Sequence, residues 1–284
     1  MRNWATFMAG CASLLLVAFA SRAEPPPGEI PFELYPGYTI VAEGEIGSLK
    51  GLRFLIDTGA MPSVVDERIA HWLHLSGEAE SVTVFSRKVK GQRVVLPSLR
   101  FGPIQAESLR VLVRDLTFLE EEVGTRVDAM LGLDVLGSRS FIIDLPARRI
   151  FFAPQSPPNT VRVPHSHLWC LVVKAEVQGC PVRLLVDTGS SALILFRKRI
   201  RGRLPELRVI GEGIISNMGG RTRAQQVSLP SIHLGDTEIS NLDALLMDAP
   251  AAKALNVDGL LGVGSLGARR ISFDFERNRL TWVH

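Results

Sequence analysis

The chain has 284 residues, 46% of them hydrophobic and 21% charged, with a formal net charge of +3. This composition excludes disordered and collagen-like chains, and the length allows two hydrophobic cores of ordinary size. Residues 1–23 hold Arg2 and Arg22 but no acid, so the remainder carries +3 − 2 = +1, and no nucleic-acid partner is expected from overall charge.

The N-terminus has the layout of a secretory signal peptide. Arg2 precedes an apolar stretch that is most continuous over residues 12–20, and Ser21-Arg22-Ala23 supplies a small-residue cleavage site. We therefore expect residues 1–23 to be removed and the mature chain to be exported, periplasmic or secreted, without stable membrane insertion. An uncleaved membrane anchor is the alternative, although the apolar run is short for a full span.

Residues 24–154 are predicted to form mainly short strands. Residues 38–43 and 49–56 read as a hairpin, and residues 64–73 have the apolar spacing of a helix. Residues 81–95 alternate in polarity, which predicts a hairpin over a cleft with its turn at Lys90-Gly91.

The Pro-rich stretch at residues 155–159 has the composition of a linker. Residues 160–284 then repeat the first pattern, with strands at 171–176 and 182–186, a short helix from Ala192 and a Gly-rich hairpin around Gly219-Gly220. The sequence therefore predicts a mainly β chain of two lobes joined by the linker.

The tripeptide Asp-Thr-Gly occurs once in each lobe, as Asp57-Thr58-Gly59 and Asp187-Thr188-Gly189. Met130-Leu131-Gly132 and Leu260-Leu261-Gly262 follow at equal distances, since 132 − 57 = 75 and 262 − 187 = 75. The lobes match with a period of 130, except that segments such as Leu96-Pro97 and Leu229-Pro230 differ by 229 − 96 = 133. One carboxylate per repeat is what an acid/base pair sharing one water requires.

The cysteines and histidines indicate neither a disulfide nor a metal site. A hairpin turning at Gln178-Gly179 would separate Cys170 from Cys180 by roughly 23 Å, whereas a disulfide needs the two Cα atoms within about 7 Å. We therefore expect two unlinked thiols. The pairs His71/His74 and His165/His167 have spacings that a metal could use, but further ligands are missing from the pattern, so we expect no metal and no cofactor.

Four further acids and one basic run are interpreted as structural. Asp128 and Asp258 are expected to be turn or capping residues, and Asp144 and Asp274 end apolar segments. The basic run at residues 197–203 is interpreted as a solvated face, with an anion-binding patch as the alternative.

The paired motifs resemble those of aspartic proteases of the retropepsin and pepsin clan, in which Asp-Thr/Ser-Gly loops face each other across a pseudo-dyad. The resemblance covers both lobes. It implies two tandem retropepsin-like barrel lobes with a cleft between them, and an endopeptidase that hydrolyses peptide or protein substrates through an activated water without a covalent intermediate. It also implies a monomer with an intrachain dyad. The alternatives are a non-catalytic peptide-binding module of the same fold, and a homodimer in which each lobe uses its twin.

The resemblance assigns the catalytic dyad to Asp57 and Asp187. Thr58 and Thr188 would brace the two loops against each other, and Gly59 and Gly189 would let the backbone pass close to the partner lobe. The rest of the implied site consists of two residues that complete the loops and two triplets packed behind them: Ala60, Ser190, Met130, Leu131, Gly132, Leu260, Leu261 and Gly262.

One difference between the motifs predicts unequal roles. The residue after the triplet is Ala60 in the first lobe and Ser190 in the second. Because a hydroxyl can stabilise a carboxylate and a methyl cannot, we expect Asp187 to be the ionised base more often and Asp57 to carry the proton.

Overall fold

The computed structural model describes residues 28–84, 87–152, 159–163, 170–249 and 255–284. The predicted signal peptide, His165, His167 and residues 155–158 of the predicted linker lie outside these ranges. The last linker residue, Asn159, begins a strand. Within the described ranges no helix has the length and apolarity needed to cross a membrane.

The first lobe is built mainly from strands. They are β1 (Glu29–Tyr35), β2 (Thr39–Ile46), β3 (Leu49–Ile56), β4 (Val64–Asp66), β5 (Glu78–Val84), β6 (Arg87–Phe101), β7 (Ile104–Arg114), β8 (Ala129–Leu131), β9 (Phe141–Asp144) and β10 (Arg149–Phe151). Three short α-helices accompany them, α1 (Glu67–Trp72), α2 (Thr117–Val123) and α3 (Leu133–Leu136), together with a 3-10 helix at Pro36–Tyr38.

The second lobe repeats most of this order. Its strands are β11 (Asn159–Arg162), β12 (Val172–Val177), β13 (Cys180–Asp187), β14 (Leu193–Phe196), β15 (Arg208–Asn217), β16 (Gly220–Leu234), β17 (Thr237–Met247), β18 (Gly259–Gly262), β19 (Arg270–Asp274) and β20 (Arg279–Val283). Its described α-helix is α4 (Arg197–Ile200).

Each lobe curls its strands around an apolar core. In the first lobe, β2 pairs with β1 and β3 and also with β6, which closes the strands into a barrel. In the second lobe, β12 pairs with β13 and also with β16. The two mainly β lobes confirm the fold class that the repeat predicts.

A sheet shared by both lobes holds them together. Its strands run in the order β11-β20-β19-β9-β10-β1, and the junction is the antiparallel pair β9–β19. In that pair Phe141 lies opposite Phe273, with ring centroids 4.7 Å apart. Both rings are buried, so the junction continues the core from one lobe into the other.

The helix predicted at residues 64–73 is wrong in its first turn. Val64–Asp66 form β4, which lies between β7 and β8. Val64 and Val65 face different apolar clusters, and burial on both faces favours an apolar strand. The helix α1 begins only at Glu67, where the Asp66 side chain caps it by accepting from Arg68 N at 2.9 Å.

The helix predicted from Ala192 also begins later. Leu193–Phe196 are buried and form β14, which pairs with β17 and β18. The helix α4 starts at Arg197. The two errors occur at equivalent places because the short apolar runs satisfy a helical and a buried-strand pattern equally well.

The hairpin of the first lobe turns elsewhere than predicted. Val84 pairs with Arg87 at the end of the hairpin, while Lys90 and Gly91 lie inside β6. A Cβ on Gly91 would lie 2.8 Å from Val113 O, which shows that this glycine serves close strand approach.

The hairpins predicted in the second lobe are confirmed. The β15–β16 hairpin closes with Asn217 opposite Gly220. The β12–β13 hairpin closes with Val177 opposite Cys180, and neither Cys170 nor Cys180 forms a disulfide.

Candidate active site

Asp57 and Asp187 stand at the ends of equivalent strands. Leu55 of β3 pairs in parallel with Met130 of β8, and Leu185 of β13 pairs in parallel with Leu260 of β18. Asp57 N also donates to Leu131 O at 3.0 Å. The apolar-apolar-Gly triplets are therefore the strands that fix the two aspartate loops.

Four crossed hydrogen bonds join the two loops. Thr58 N donates to Thr188 Oγ1 at 2.9 Å, and Thr188 N donates to Thr58 Oγ1 at 3.1 Å. Each hydroxyl then donates to a carbonyl of the other lobe, Thr58 Oγ1 to Val186 O at 3.0 Å and Thr188 Oγ1 to Ile56 O at 2.7 Å. Both threonines are buried, so these bonds set the relative position of the loops away from water.

The glycines of the motif bring each loop against the opposite carboxyl group. A Cβ on Gly59 would lie 2.7 Å from Asp187 Cγ, and one on Gly189 would lie 2.8 Å from Asp57 Cγ. Gly59 N and Gly189 N also donate to the Oδ1 of their own aspartates, each at 2.8 Å. Any larger residue would force the carboxyl groups to move.

The two carboxyl groups are hydrogen-bonded to each other, and the pKa of each is raised above its usual range. Burial is the main cause for both, because it disfavours the charged form. The pKa of Asp187 is raised further by the negative charge of Asp57, while hydrogen bonds from the backbone of Gly59 and Ala60 oppose the rise at Asp57. The pair therefore retains one proton to higher pH than a lone aspartate, and that proton belongs to the pair rather than to either carboxyl group alone.

The Ser190 hydroxyl, from which unequal roles of Asp57 and Asp187 are predicted, donates to a backbone carbonyl. Ser190 Oγ donates to Ala192 O at 3.3 Å, within its own loop. The proton of this hydroxyl is thus used by a backbone carbonyl and not by Asp187, and the unequal roles of the two aspartates stay a prediction.

The last glycine of each triplet lies directly behind an aspartate loop. A Cβ on Gly132 would lie 2.4 Å from Ala60 O, and one on Gly262 would lie 2.6 Å from Ser190 O. The backbones could not approach this closely with a side chain between them.

Sequence reasoning missed a polar brace in the first lobe. Ser63 N and Oγ donate to Asp134 at 2.9 and 2.6 Å, and Gly132 N donates to Ser63 Oγ at 2.8 Å. The equivalent of Asp134 in the second lobe is Gly264, since 134 + 130 = 264. This break in the repeat was the only sequence signal that could have indicated the brace.

A cleft of about 720 Å³ opens above the dyad between the lobes. Asp57, Gly59, Asp187 and Gly189 lie on its surface. Most of the other lining side chains are apolar and come from both lobes, among them Leu55, Phe118, Met130, Ile194, Phe196 and Leu260. A long apolar cleft with two carboxyl groups at its centre can hold an extended chain across a reactive pair.

The four acids interpreted as structural have structural partners. Asp128 accepts from Arg53 N at 2.8 Å, and Asp258 accepts from Arg183 N at 2.9 Å, each in the strand that leads to an aspartate loop. The other two acids accept from turn residues, Asp144 from Ala147 N and Asp274 from Arg277 N.

The basic run is tied to the same framework. Arg199 and Arg203 form ion pairs with Asp258, with N–O distances of 3.3 and 2.8 Å, and Arg197 donates to Gln225. Within the described ranges, no group of three or more His, Cys, Asp and Glu side chains is placed to hold a metal ion.

A family model described as aspartyl protease matches the chain twice, over residues 42–135 and 173–264. Together the two matches cover more than half of the 284 residues. The chain belongs to the aspartyl protease family. Each match contains one Asp-Thr-Gly motif, so the resemblance stated from the motifs is confirmed, and membership supports peptidase function in general. No curated protein matches the chain.

The β15–β16 hairpin reaches across the cleft to the first lobe. Glu122 of α2 accepts from Ser216 Oγ at 2.9 Å and from Arg221 Nη2 at 2.6 Å. Met218, at the tip, packs against the first-lobe cluster that includes Leu116 and Val123. The hairpin is thus held over the cleft by one charged contact and one apolar contact, neither of which the repeat could indicate.

Replacing Glu122 by Gln is expected to loosen this hairpin. An exposed ion pair contributes about 0.2–1 kcal/mol, so backbone amides of residues 214–222 should exchange with solvent up to about five times faster. Hydrogen exchange measured by mass spectrometry tests this, with Glu107→Gln on the exposed part of β7 as the control.

The same contact should depend on pH. Arg221 and Ser216 lower the pKa of Glu122, so the contact should be present above the usual glutamate range and be lost as pH falls through the lowered pKa. Unchanged exchange in Glu122→Gln would contradict the contact's role.

Proposed function

We propose that this protein is an aspartic endopeptidase and that Asp57 and Asp187 are its catalytic dyad. The observation that carries the proposal is the set of crossed threonine bonds, which hold two hydrogen-bonded carboxyl groups at the floor of an apolar interlobe cleft. Both carboxyl groups come from one chain, which supports an active monomer. A peptide-binding module would gain nothing from two acids that repel each other.

The proposed reaction uses the single proton of the dyad. The ionised carboxylate of the pair takes a proton from a water molecule as that water attacks the peptide carbonyl carbon. The protonated carboxyl group donates its proton to the carbonyl oxygen, where negative charge develops. The carbon–nitrogen bond of the tetrahedral intermediate then breaks: the carboxyl group that took the water proton gives it to the leaving nitrogen, and the hydroxyl formed from the carbonyl oxygen returns its proton to the other carboxylate. The dyad thus regains its single proton, and because water is the nucleophile no covalent bond to the enzyme forms.

The N-terminal segment supports a proposal about the cellular location of the protein. A predicted leader of residues 1–23 would export the chain, and its substrates would then be peptides or proteins outside the cytoplasm. Neither metal nor cofactor is needed for the proposed chemistry, because two carboxyl groups and water supply every proton transfer.

A mixed peptide library incubated with the mature chain tests the function. We expect internal cleavage, read by mass spectrometry, and because the pKa of each dyad carboxyl is raised, activity should extend to pH values above the usual aspartate range. Binding of peptides without cleavage at any pH from 3 to 8 would support the binding-module alternative and sink the proposal.

A further inference from the structure

Arg110 lies on the cleft wall of the first lobe, on the exposed part of β7. The strand register shows from which face of the sheet its side chain projects. One row of paired residues crosses four neighbouring strands, and all its members belong to one apolar cluster: Leu55, Met130, Val64 and Leu112. Arg110 and Leu112 are two residues apart, so both side chains leave the same face of the sheet.

Arg110 also lies on the same side of this row as Asp57. The strands β3 and β8 are parallel, while β4 and β7 run against them. Asp57 lies two residues after Leu55, and Arg110 lies two residues before Leu112. Both are therefore displaced from the row in the same direction. Three strand spacings of about 4.8 Å place the two backbone positions roughly 14 Å apart.

The other charged side chains on this wall are already paired. Arg93 donates from Nε to Glu80 at 2.6 Å and forms a second contact with the same carboxylate. Asp134 accepts both hydrogen bonds of Ser63. Among the described residues, no carboxylate forms an ion pair with Arg110. This guanidinium therefore presents an uncompensated charge to the cleft.

The second lobe carries the opposite charge at the equivalent position. The local offset of 133 relates Arg110 to Asp243 and Arg93 to Gln226, since 110 + 133 = 243 and 93 + 133 = 226. Asp243 accepts from Gln226 Nε2 at 3.0 Å, and neither residue lines the cleft. The positive charge thus marks one half of an otherwise pseudo-symmetric groove.

We propose that Arg110 determines specificity by binding an acidic side chain of the substrate. A guanidinium pairs with a carboxylate through two parallel hydrogen bonds. An extended peptide advances about 3.3 Å per residue, so the acidic residue lies about two to four residues from the scissile bond. Because only the first-lobe half carries the charge, the same contact fixes the direction in which the peptide lies. The inference rests on the proposed endopeptidase function.

Matched peptides test the proposal. Each pair differs by Glu or Gln at one position, from four residues before to four after a cleaved bond. Wild type should cleave the Glu peptide with a kcat/KM about 10-fold higher at one position. In Arg110→Gln this ratio should fall to about 1. With a further peptide that carries Lys at the same position, Arg110→Glu should instead cleave the Lys peptide faster than the Gln peptide. Arg139→Gln, an exposed arginine outside the cleft, should retain the wild-type ratio.

The outcomes of this experiment distinguish the proposed role of Arg110 from the proposed endopeptidase function. Equal cleavage of Glu and Gln peptides at every position, or a preference that survives in Arg110→Gln, overturns the role of Arg110 while the endopeptidase stands. If nothing is cleaved, fluorescence anisotropy with the same peptides decides: a Glu preference that Arg110→Gln abolishes supports the contact without the reaction. Absence of both cleavage and binding overturns both.

Discussion

Asp57→Asn and Asp187→Asn should each lower kcat/KM by at least about 10³-fold, because each removes one half of the acid/base pair. An amide can neither take a proton from water nor carry one for donation to the carbonyl. The carboxyl groups are hydrogen-bonded to each other and lie against Gly59 and Gly189, so asparagine fits the same space. Both variants should therefore fold and bind peptides while failing to cleave them.

A stability measurement separates this effect from general damage. The pKa of Asp187 is raised well above its ordinary value in the folded state, so the folded state binds its proton more tightly than the unfolded state does. The resulting stabilisation is fully present below the unfolded pKa and is lost as pH rises through the folded pKa. The asparagine of Asp187→Asn has no proton to lose in this range, so the variant does not lose this stabilisation as pH rises. The melting temperature of Asp187→Asn minus that of wild type should therefore increase from pH 3 to pH 8.

Asp236→Asn, on an exposed turn, is the matched control and should cleave normally. Wild-type cleavage by either dyad variant would show that the reacting pair lies elsewhere. A melting temperature that falls for Asp187→Asn at neutral pH, relative to wild type, would show that the two carboxyl groups are not competing for one proton.

The two lobes and the positions of the aspartates could be predicted because the repeat consists of buried strand residues. Leu55-Ile56 before Asp57 and Met130-Leu131 before Gly132 pair directly in the structure, and the same pairing recurs 130 residues later. Residues that build one parallel pair must keep their spacing, so the period reports the packing itself.

Features that differ between the lobes could not be read in this way. Glu122 and Arg221 meet across the cleft although nothing in the chain pairs them, and Arg110 is informative only once the strand register is known. The Ser190 hydroxyl donates to Ala192 O, a contact that depends on the local backbone conformation. Such contacts are tertiary, and local sequence does not encode them.

Removing the Thr188 hydroxyl should have the second large effect, on stability as well as on activity. In Thr188→Val the buried Thr58 N–H loses its acceptor and Ile56 O loses its donor. Each unsatisfied buried group costs about 1–3 kcal/mol, so for the two groups we expect a loss of about 2–6 kcal/mol in the free energy of unfolding. A shift of the loops by about 1 Å should lower kcat by roughly 10²-fold with a smaller change in KM.

Thr188→Ser and the double variant Thr58→Val/Thr188→Val test whether the hydroxyls act as one unit. Serine keeps the hydroxyl and should restore most of the activity, whereas valine keeps the shape alone. Because each hydroxyl both accepts from the other loop and donates to it, the double variant should lose less stability than the sum of the single losses. Additive losses would mean that the two threonines support their own lobes independently. In that case something other than the crossed bonds would hold Asp57 and Asp187 together.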